Sequence, residues 1–290
     1  MLMGNSENTL SDYDSTWEDE DVCEDTKEWS WHEKRNIHAA EDMRNYRREC
    51  RSQLADVKGQ DVDNDEDLPN LWFYQNKIPF DADGVCIEDF HMCWFGDYKK
   101  LEHVHSYIQW LFPTQENGMN ASVQNLSHVL SPKAIKLFHR DEVMKKRLLT
   151  SYKLMLDFYG IELVSEETGV VRRSVNWKER FANLNKNTHN NLRITRILKC
   201  LGLLGFHHYQ APLVHFFLVE TLVNHTLPQV KQSVLDYFMF AVVDKSKRKE
   251  LIKFALCYFK PKEKFVWCPR RIRIQFLKEV EQAEKESRHY

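Results

Sequence analysis

Five side chains able to bind a transition metal fall within twenty residues: Cys86, His91, Cys93, His103 and His105. Thiolate and imidazole are natural zinc ligands, so spacing has to decide whether they act together. Cys-x4-His-x-Cys and His-x-His match none of the usual structural zinc frames. On a helix, His103 and His105 are two positions apart and point roughly 200° away from each other, so one ion cannot take both. No metal and no cofactor are expected, and His105 is expected to be buried and hydrogen-bonded against a neighbouring helix. Covalent catalysis has no better support. There is no GxSxG, no cysteine in a protease context and no Gly-rich phosphate loop. Glutamates and histidines are plentiful but unpaired by any known catalytic spacing. No catalytic residue is assigned, and the chain reads as a non-enzyme.

Two polar patterns remain that could bind something. In THNNLRITRILKCLG (Thr188 to Gly202), His189, Asn190, Arg193 and Arg196 lie opposite the apolar Leu192, Ile194, Ile197, Leu198 and Leu201. This face is either solvated and bracing loops, or the wall of a groove for a peptide or an acidic partner. Arginine suits the second role because its guanidinium grips a carboxylate bidentately. KSKRK supplies Lys245, Lys247, Arg248 and Lys249, and the later KPKEK and RRIRI extend the basic run. It reads as a nuclear import signal or a surface for acidic partners, or as a plain helix corner. Nucleic acid is unlikely, since neither overall charge nor a known reader motif supports it.

The element that must position these residues is the stretch from Asp97 to Phe112. Tyr98, Leu101, Val104, Ile108 and Leu111 recur at three- and four-residue steps and share one helical face. Tyr107, Trp110 and Phe112 fill the opposite side, leaving a thin polar stripe of Glu102, Ser106 and Gln109. A helix apolar nearly all round must be covered nearly all round, so other helices should pack against it. Asp97 is its predicted N-cap, and Pro113 stops it.

Of 290 residues only 9 are Gly and 8 are Pro, below the usual levels of roughly 7% and 5%. Few turn-makers favour long helices. The fold class predicted is all-α: a single multi-helix, bundle-like domain of about seven or eight helices. Ser131-Pro132 opens a helix or helix pair that runs to Tyr159 and is closed by Gly160. Residues 162 to 174 read as a polar loop. Gly205 ends the Thr188 helix, and KSKRK turns the corner into a helix from Leu251. Domain boundaries are expected at 1–66 (an acidic, mostly disordered head with one short helix near Ala39 to Cys50), 67–267 (the helical domain) and 268–290 (a charged tail). Trp17, Trp29 and Trp31 in the head read either as a short binding motif or as loose packing on the domain.

Composition also bounds location. The longest apolar run, Tyr237 to Val243, is far short of the roughly 20 residues a membrane span needs. MLMGNSENTL lacks the basic flank and apolar core of a signal peptide. MGNSEN from Met3 comes close to a myristoylation signal, which would give peripheral membrane association, but Asn8 stands where Ser or Thr is expected. Seven cysteines without paired spacing read as reduced thiols. Acidic residues outnumber basic ones more than twofold over 1–70, whereas residues 245–290 carry 14 Lys and Arg against 6 Glu. A head and an end of opposite sign could attract each other or sort separate partners.

Several long stretches occur together in one order: HSYIQWLFP (105–113), LMLDFYGI (154–161), THNNLRITRILKCLG (188–202), QAPLVHFFLVETLV (210–223) and LDYFMFAV (235–242). LPNLWFYQNKI and DYDSTWEDED lie upstream of them. In these stretches the chain resembles the opioid growth factor receptor family, from about Asp67 to Trp267 with a short match at Asp12 to Asp21. The resemblance implies a non-enzymatic, soluble receptor of nucleus and cytoplasm, perinuclear, that binds the opioid peptide Met-enkephalin and restrains cell growth. It departs from longer family members in lacking their proline-rich tail. For such a peptide, Arg193 or Arg196 would take the carboxylate and Glu102 or Asp236 the ammonium. Tyr107 and Trp110 would line the cleft, with His189 and Asn190 on the same face. The alternative is a helical scaffold for nuclear protein–protein interaction with no opioid binding of its own.

Overall fold

A helix begins where a short polar side chain can take up the N–H groups that have no intrahelical partner. In the computed structural model, which describes residues 15–17, 35–56, 68–80, 84–116 and 129–287, the expected caps do this. Asp97 accepts from the Lys100 N–H at 3.0 Å and Ser131 from Ala134 at 3.2 Å. The helices in order are α1 (Ile37–Asp56), α2 (Pro69–Tyr74), α3 (Ile87–Trp94), α4 (Tyr98–His103), α5 (Ile108–Leu111), α6 (Pro132–Arg140) and α7 (Glu142–Phe158). After a short hairpin come α8 (Trp177–Lys186), α9 (Asn190–Leu203), α10 (Gln210–Leu218), α11 (Lys231–Ser233), α12 (Met239–Ala241), α13 (Lys245–Tyr258) and α14 (Arg270–Ser287). Wider π-helical turns at Val219–Val223 and Val234–Phe238 continue α10 and join α11 to α12. The all-helical fold is as the sequence predicts.

The central helix is not continuous. Val104 turns extended (φ −83°, ψ 134°) and splits it into α4 and α5. The break frees the carbonyls of Leu101 and Val104, and a buried arginine from α9 takes both, at 2.9 Å each. Of its predicted apolar face Leu101 and Leu111 are fully enclosed and Tyr98, Val104 and Ile108 half-buried, while Tyr107 and Phe112 from the other side are enclosed as well.

The predicted polar loop holds the hairpin. β1 (Ile161–Leu163) pairs antiparallel with β2 (Val171–Arg173), Glu162 opposite Arg172. Gly160, just before β1, has φ +79°, and a Cβ there would lie 2.8 Å from the Trp177 Cα. Both the left-handed conformation and the close approach of α8 require glycine at this position.

α1 is part of the core, upstream of the boundary expected at 67. Met43, Tyr46 and Cys50 are buried, and Arg47 donates to the Phe240 carbonyl. The Tyr46 hydroxyl donates to Lys199 O at 3.2 Å and accepts from Gln210 Nε2 at 3.1 Å. Gln210 also donates to Leu198 O and Ala241 O, each at 2.8 Å, while its Oε1 accepts from the Val243 N–H at 3.0 Å. One buried amide thus ties together α1, α9 and α12. Gly202 permits the arrangement, since a Cβ there would stand 2.0 Å from the Tyr46 hydroxyl.

Cys200 is a core residue, as expected, and burial pushes the Cys50 and Cys268 thiols up to about 12. These thiols are packing groups rather than nucleophiles. α14 is anchored through Ile272, which is buried. The disorder expected of the head over residues 1–14 and 18–34, Trp29, Trp31, the Asp-rich linker and the loop after Glu116 lie outside the described residues.

Candidate functional site

α9 presents two different polar environments. Toward α4 it forms a closed corner. Arg193 Nη1 donates to Leu101 O at 2.9 Å, to the Tyr107 hydroxyl at 3.2 Å and to Asn190 Oδ1 at 3.2 Å, while Nη2 donates to Val104 O at 2.9 Å. Tyr107, fully buried, donates its own hydroxyl to Leu101 O at 2.8 Å. Behind the corner, Glu102 accepts from Asn183 at 2.5 Å and from Asn190 at 3.2 Å, and lies 2.6 Å from His189 Nε2. A buried polar group is costly unless bonded, and here Arg193, Tyr107, Asn190 and Glu102 find partners within the chain, whereas His189 Nε2 lies close to Glu102 without an aligned hydrogen bond.

Toward α1 the same helix borders an open cleft of about 440 Å³. Asp42 from α1 and Glu116 from the segment after α5 stand at one side, with Lys199 between them. Lys199 Nζ lies 2.8 Å from Asp42 Oδ1 and 2.8 Å from both Glu116 oxygens. Arg196 lies one helical turn back. Its Nε donates to Phe112 O at 2.8 Å, and among the described residues no acceptor is bonded to its terminal nitrogens. Burial lowers the Arg196 pKa against the opposing pull of Cys200 and Glu116, so an incoming anion would find an under-compensated charge. Ile108, Leu192 and Tyr237 form the apolar lining.

His105 sits at the mouth. It is exposed rather than buried, with its ring 5.0 Å from that of His189. Partial burial, then the charges of Arg193 and His189, hold its pKa below the usual histidine value. The expected helical packing of His105 fails because the chain leaves the helix at Val104.

The cleft therefore gathers Arg196, His189 and the edge of Arg193 from the predicted set. Asn190 and Glu102 are enclosed behind it. Tyr107 and Trp110 are core residues, Trp110 packing 5.5 Å from the Phe73 ring. Asp236 accepts from Trp267 Nε1 at 2.8 Å and Gln232 Nε2 at 2.7 Å, so it anchors the end of the fold instead of meeting an ammonium. Sequence reasoning missed Asp42, Glu116, Lys199 and Tyr237. Lys199 carried a faint signal, as a lone charge in an apolar run of α9; Asp42 carried none, because nothing local shows that α1 docks.

The basic cluster is the first turn of α13, capped by Asp244, which accepts from the Lys247 N–H at 2.9 Å. Lys247 is exposed and pairs with Glu250 at 3.0 Å. Arg248 is a correction: it is fully buried and donates to Val242 O at 2.5 Å and Thr16 Oγ1 at 2.6 Å, so it is a structural cation. Of the metal candidates, His91 is bound to Ser151 Oγ at 2.8 Å and His103 Nδ1 to Lys99 O at 2.7 Å. Burial, then the nearby Arg147 charge, lowers His91 to about 4. Among the described residues no three His, Cys, Asp or Glu side chains converge as a metal would need.

Residues 63–273 match the model of the opioid growth factor receptor conserved region. The chain belongs to the opioid growth factor receptor family. It is 50% identical to the opioid growth factor receptor of Mus musculus over 236 residues, 81% of this chain and 36% of that protein. It is 48% identical to the Homo sapiens opioid growth factor receptor, covering 81% of this chain and 33% of that protein. To opioid growth factor receptor-like protein 1 of Rattus norvegicus it is 46% identical over 245 residues, 84% of this chain and 50% of the relative. The chain thus spans between a third and a half of the length of these relatives. No solved structure matches. The family is named for a receptor rather than for an enzymatic activity. No described helix is long and apolar enough to cross a membrane.

Proposed function

We propose that the chain is a non-enzymatic peptide receptor whose α9 cleft binds the opioid growth factor, Met-enkephalin, and that this binding underlies restraint of cell growth. The observation that carries the reading is the juxtaposition, within one cleft, of acids, an under-bonded arginine and an apolar wall. A pentapeptide with free ends offers an ammonium to Asp42 and Glu116, which already share Lys199, and a carboxylate to Arg196. Its aromatic and apolar side chains lie against Ile108, Leu192 and Tyr237. About 440 Å³ falls within the roughly 300–1,000 Å³ typical of small-ligand sites. The receptor names of the relatives support the same ligand class. Nuclear, cytoplasmic and perinuclear residence, with import aided by Lys245, Lys247 and Lys249, completes the proposal.

Calorimetric titration of the full chain with Met-enkephalin and with a scrambled peptide tests it. Saturable heat from the native peptide alone is expected, and Arg196→Ala should weaken it by about tenfold or more, the scale of one hydrogen bond to a charged group. A folded chain that takes up neither peptide sinks the proposal and leaves the helical-scaffold reading.

A further inference from the structure

Ser15–Trp17 forms a single 3-10 turn seated in the fold. A single turn is not stable alone, so its seat holds it. That seat is built from the start of α13 and the middle of α14. Thr16 is 0% exposed and Trp17 only 2%. Thr16 Oγ1 accepts from Arg248 Nε at 2.6 Å, and Arg248 is itself fixed by the Val242 and Val243 carbonyls at 2.5 and 3.2 Å. The indole lies 6.0 Å from the Phe276 ring, with the Lys249 ammonium 5.3 Å from its centroid. None of these residues lines the α9 cleft.

The chemistry is that of a peptide anchor in a groove. A buried tryptophan is the side chain that most often dominates a recognition site, and a cation over its face adds to the hold. The threonine fixes register through one charge-assisted bond. Along the sequence, Trp17 is followed directly by Glu18, Asp19, Glu20 and Asp21, while Lys249, from the basic first turn of α13, stands over the indole. Opposite charge on the two sides of the anchor suits an acidic flank.

We propose that this groove is a docking site for a Thr-Trp segment with an acidic flank, filled in cis by the chain's own Ser15–Trp17. A partner carrying a segment of the same chemistry takes the seat when the resident one is withdrawn. Because the resident segment is tethered, it competes at an effective concentration in the millimolar range, so it acts as a threshold that a partner must exceed.

Fluorescence polarisation on the full chain reads this out, with a labelled peptide of residues 12–21, DYDSTWEDED, as probe. The Trp17→Ala chain should bind the probe saturably and at least tenfold more tightly than the wild-type chain. The probe with alanine in place of its tryptophan should fail to bind, and adding Phe276→Ala to the Trp17→Ala chain should abolish uptake. Equal binding by wild type and Trp17→Ala, or no binding by a folded Trp17→Ala chain, overturns the proposal. So does binding lost with Arg196→Ala but kept with Phe276→Ala, which would put the probe in the α9 cleft. If Trp17→Ala does not fold, Thr16→Val, which keeps the ring and loses the Arg248 bond, must raise probe uptake severalfold; unchanged uptake there also overturns it.

Discussion

The corner where α9 meets α4 and the cleft where α9 meets α1 hold the same residue types within one helical turn. At the corner, Arg193 makes four hydrogen bonds to groups of its own chain, two of them to carbonyls released by the break at Val104. In the cleft, Arg196 gives its Nε–H to Phe112 O, and among the described residues no acceptor is bonded to its terminal nitrogens. Glu102 at the corner is enclosed by two asparagines and a histidine, whereas Glu116 in the cleft shares one lysine with Asp42. What separates architecture from recognition is therefore not the side chain but how far the surrounding chain has satisfied it. A saturated cation sets a loop; one with donors to spare can meet a ligand.

Breaking the corner should have the largest effect. Arg193→Leu leaves the Val104 carbonyl and the buried Asn190 Oδ1 without their donor, while Leu101 O keeps the Tyr107 hydroxyl, and at 1–3 kcal/mol for each unsatisfied group the loss should reach about 4 kcal/mol in urea denaturation. A loss below 1 kcal/mol would show that the corner is not saturated. Undocking the cleft's other wall comes next. Gly202→Ala drives a Cβ into the Tyr46 hydroxyl, and overpacking of this kind costs about 2–3 kcal/mol. Hydrogen exchange should show α1 amides losing protection before those of α9; uniform loss would contradict a separable wall. Arg196→Ala should cost about 1–2 kcal/mol in stability, since one carbonyl, that of Phe112, loses its donor. A larger loss would place it with Arg193 and remove it from the ligand site.

The smallest effect concerns His105. Its pKa is depressed, so the folded chain favours the neutral ring, and the stability this gives is present above the ordinary histidine pKa and lost as pH falls through the folded value. An NMR titration should place its midpoint below 6.5, and His189→Gln should move that midpoint upward by removing a facing positive charge. A midpoint unmoved by that change would mean the two rings do not sense each other.

Local rules read well from sequence wherever cause and effect are neighbours. Asp97, Ser131, Gly160 and Gly205 mark their helix ends because caps act within three residues. The break at Val104 was illegible, since apolar spacing continues through it and the arginine that stabilises it lies 89 residues away. One wall of the cleft was legible in the α9 periodicity, which picked out His189 and Arg196. The other was hidden because Asp42 meets Lys199 across 157 residues. Glu102, Tyr107, Trp110 and Asp236 were misplaced for a related reason: residue type says what could bind, while long-range packing says what is reachable.

α1, at Ile37–Asp56, lies before the 63–273 stretch that matches the family model, yet it carries Asp42 and clasps the core through Tyr46. The cleft is thus assembled from α9, inside that stretch, and from a wall that lies before it. Changing only the cleft-facing Asp42 of that helix would alter the charge of the wall while leaving its buried Met43, Tyr46 and Cys50 in place. A fragment trimmed to 63–273 would lose Asp42 and Tyr46 and present an open trench in place of the cleft, and its silence toward a ligand would say nothing about the whole chain.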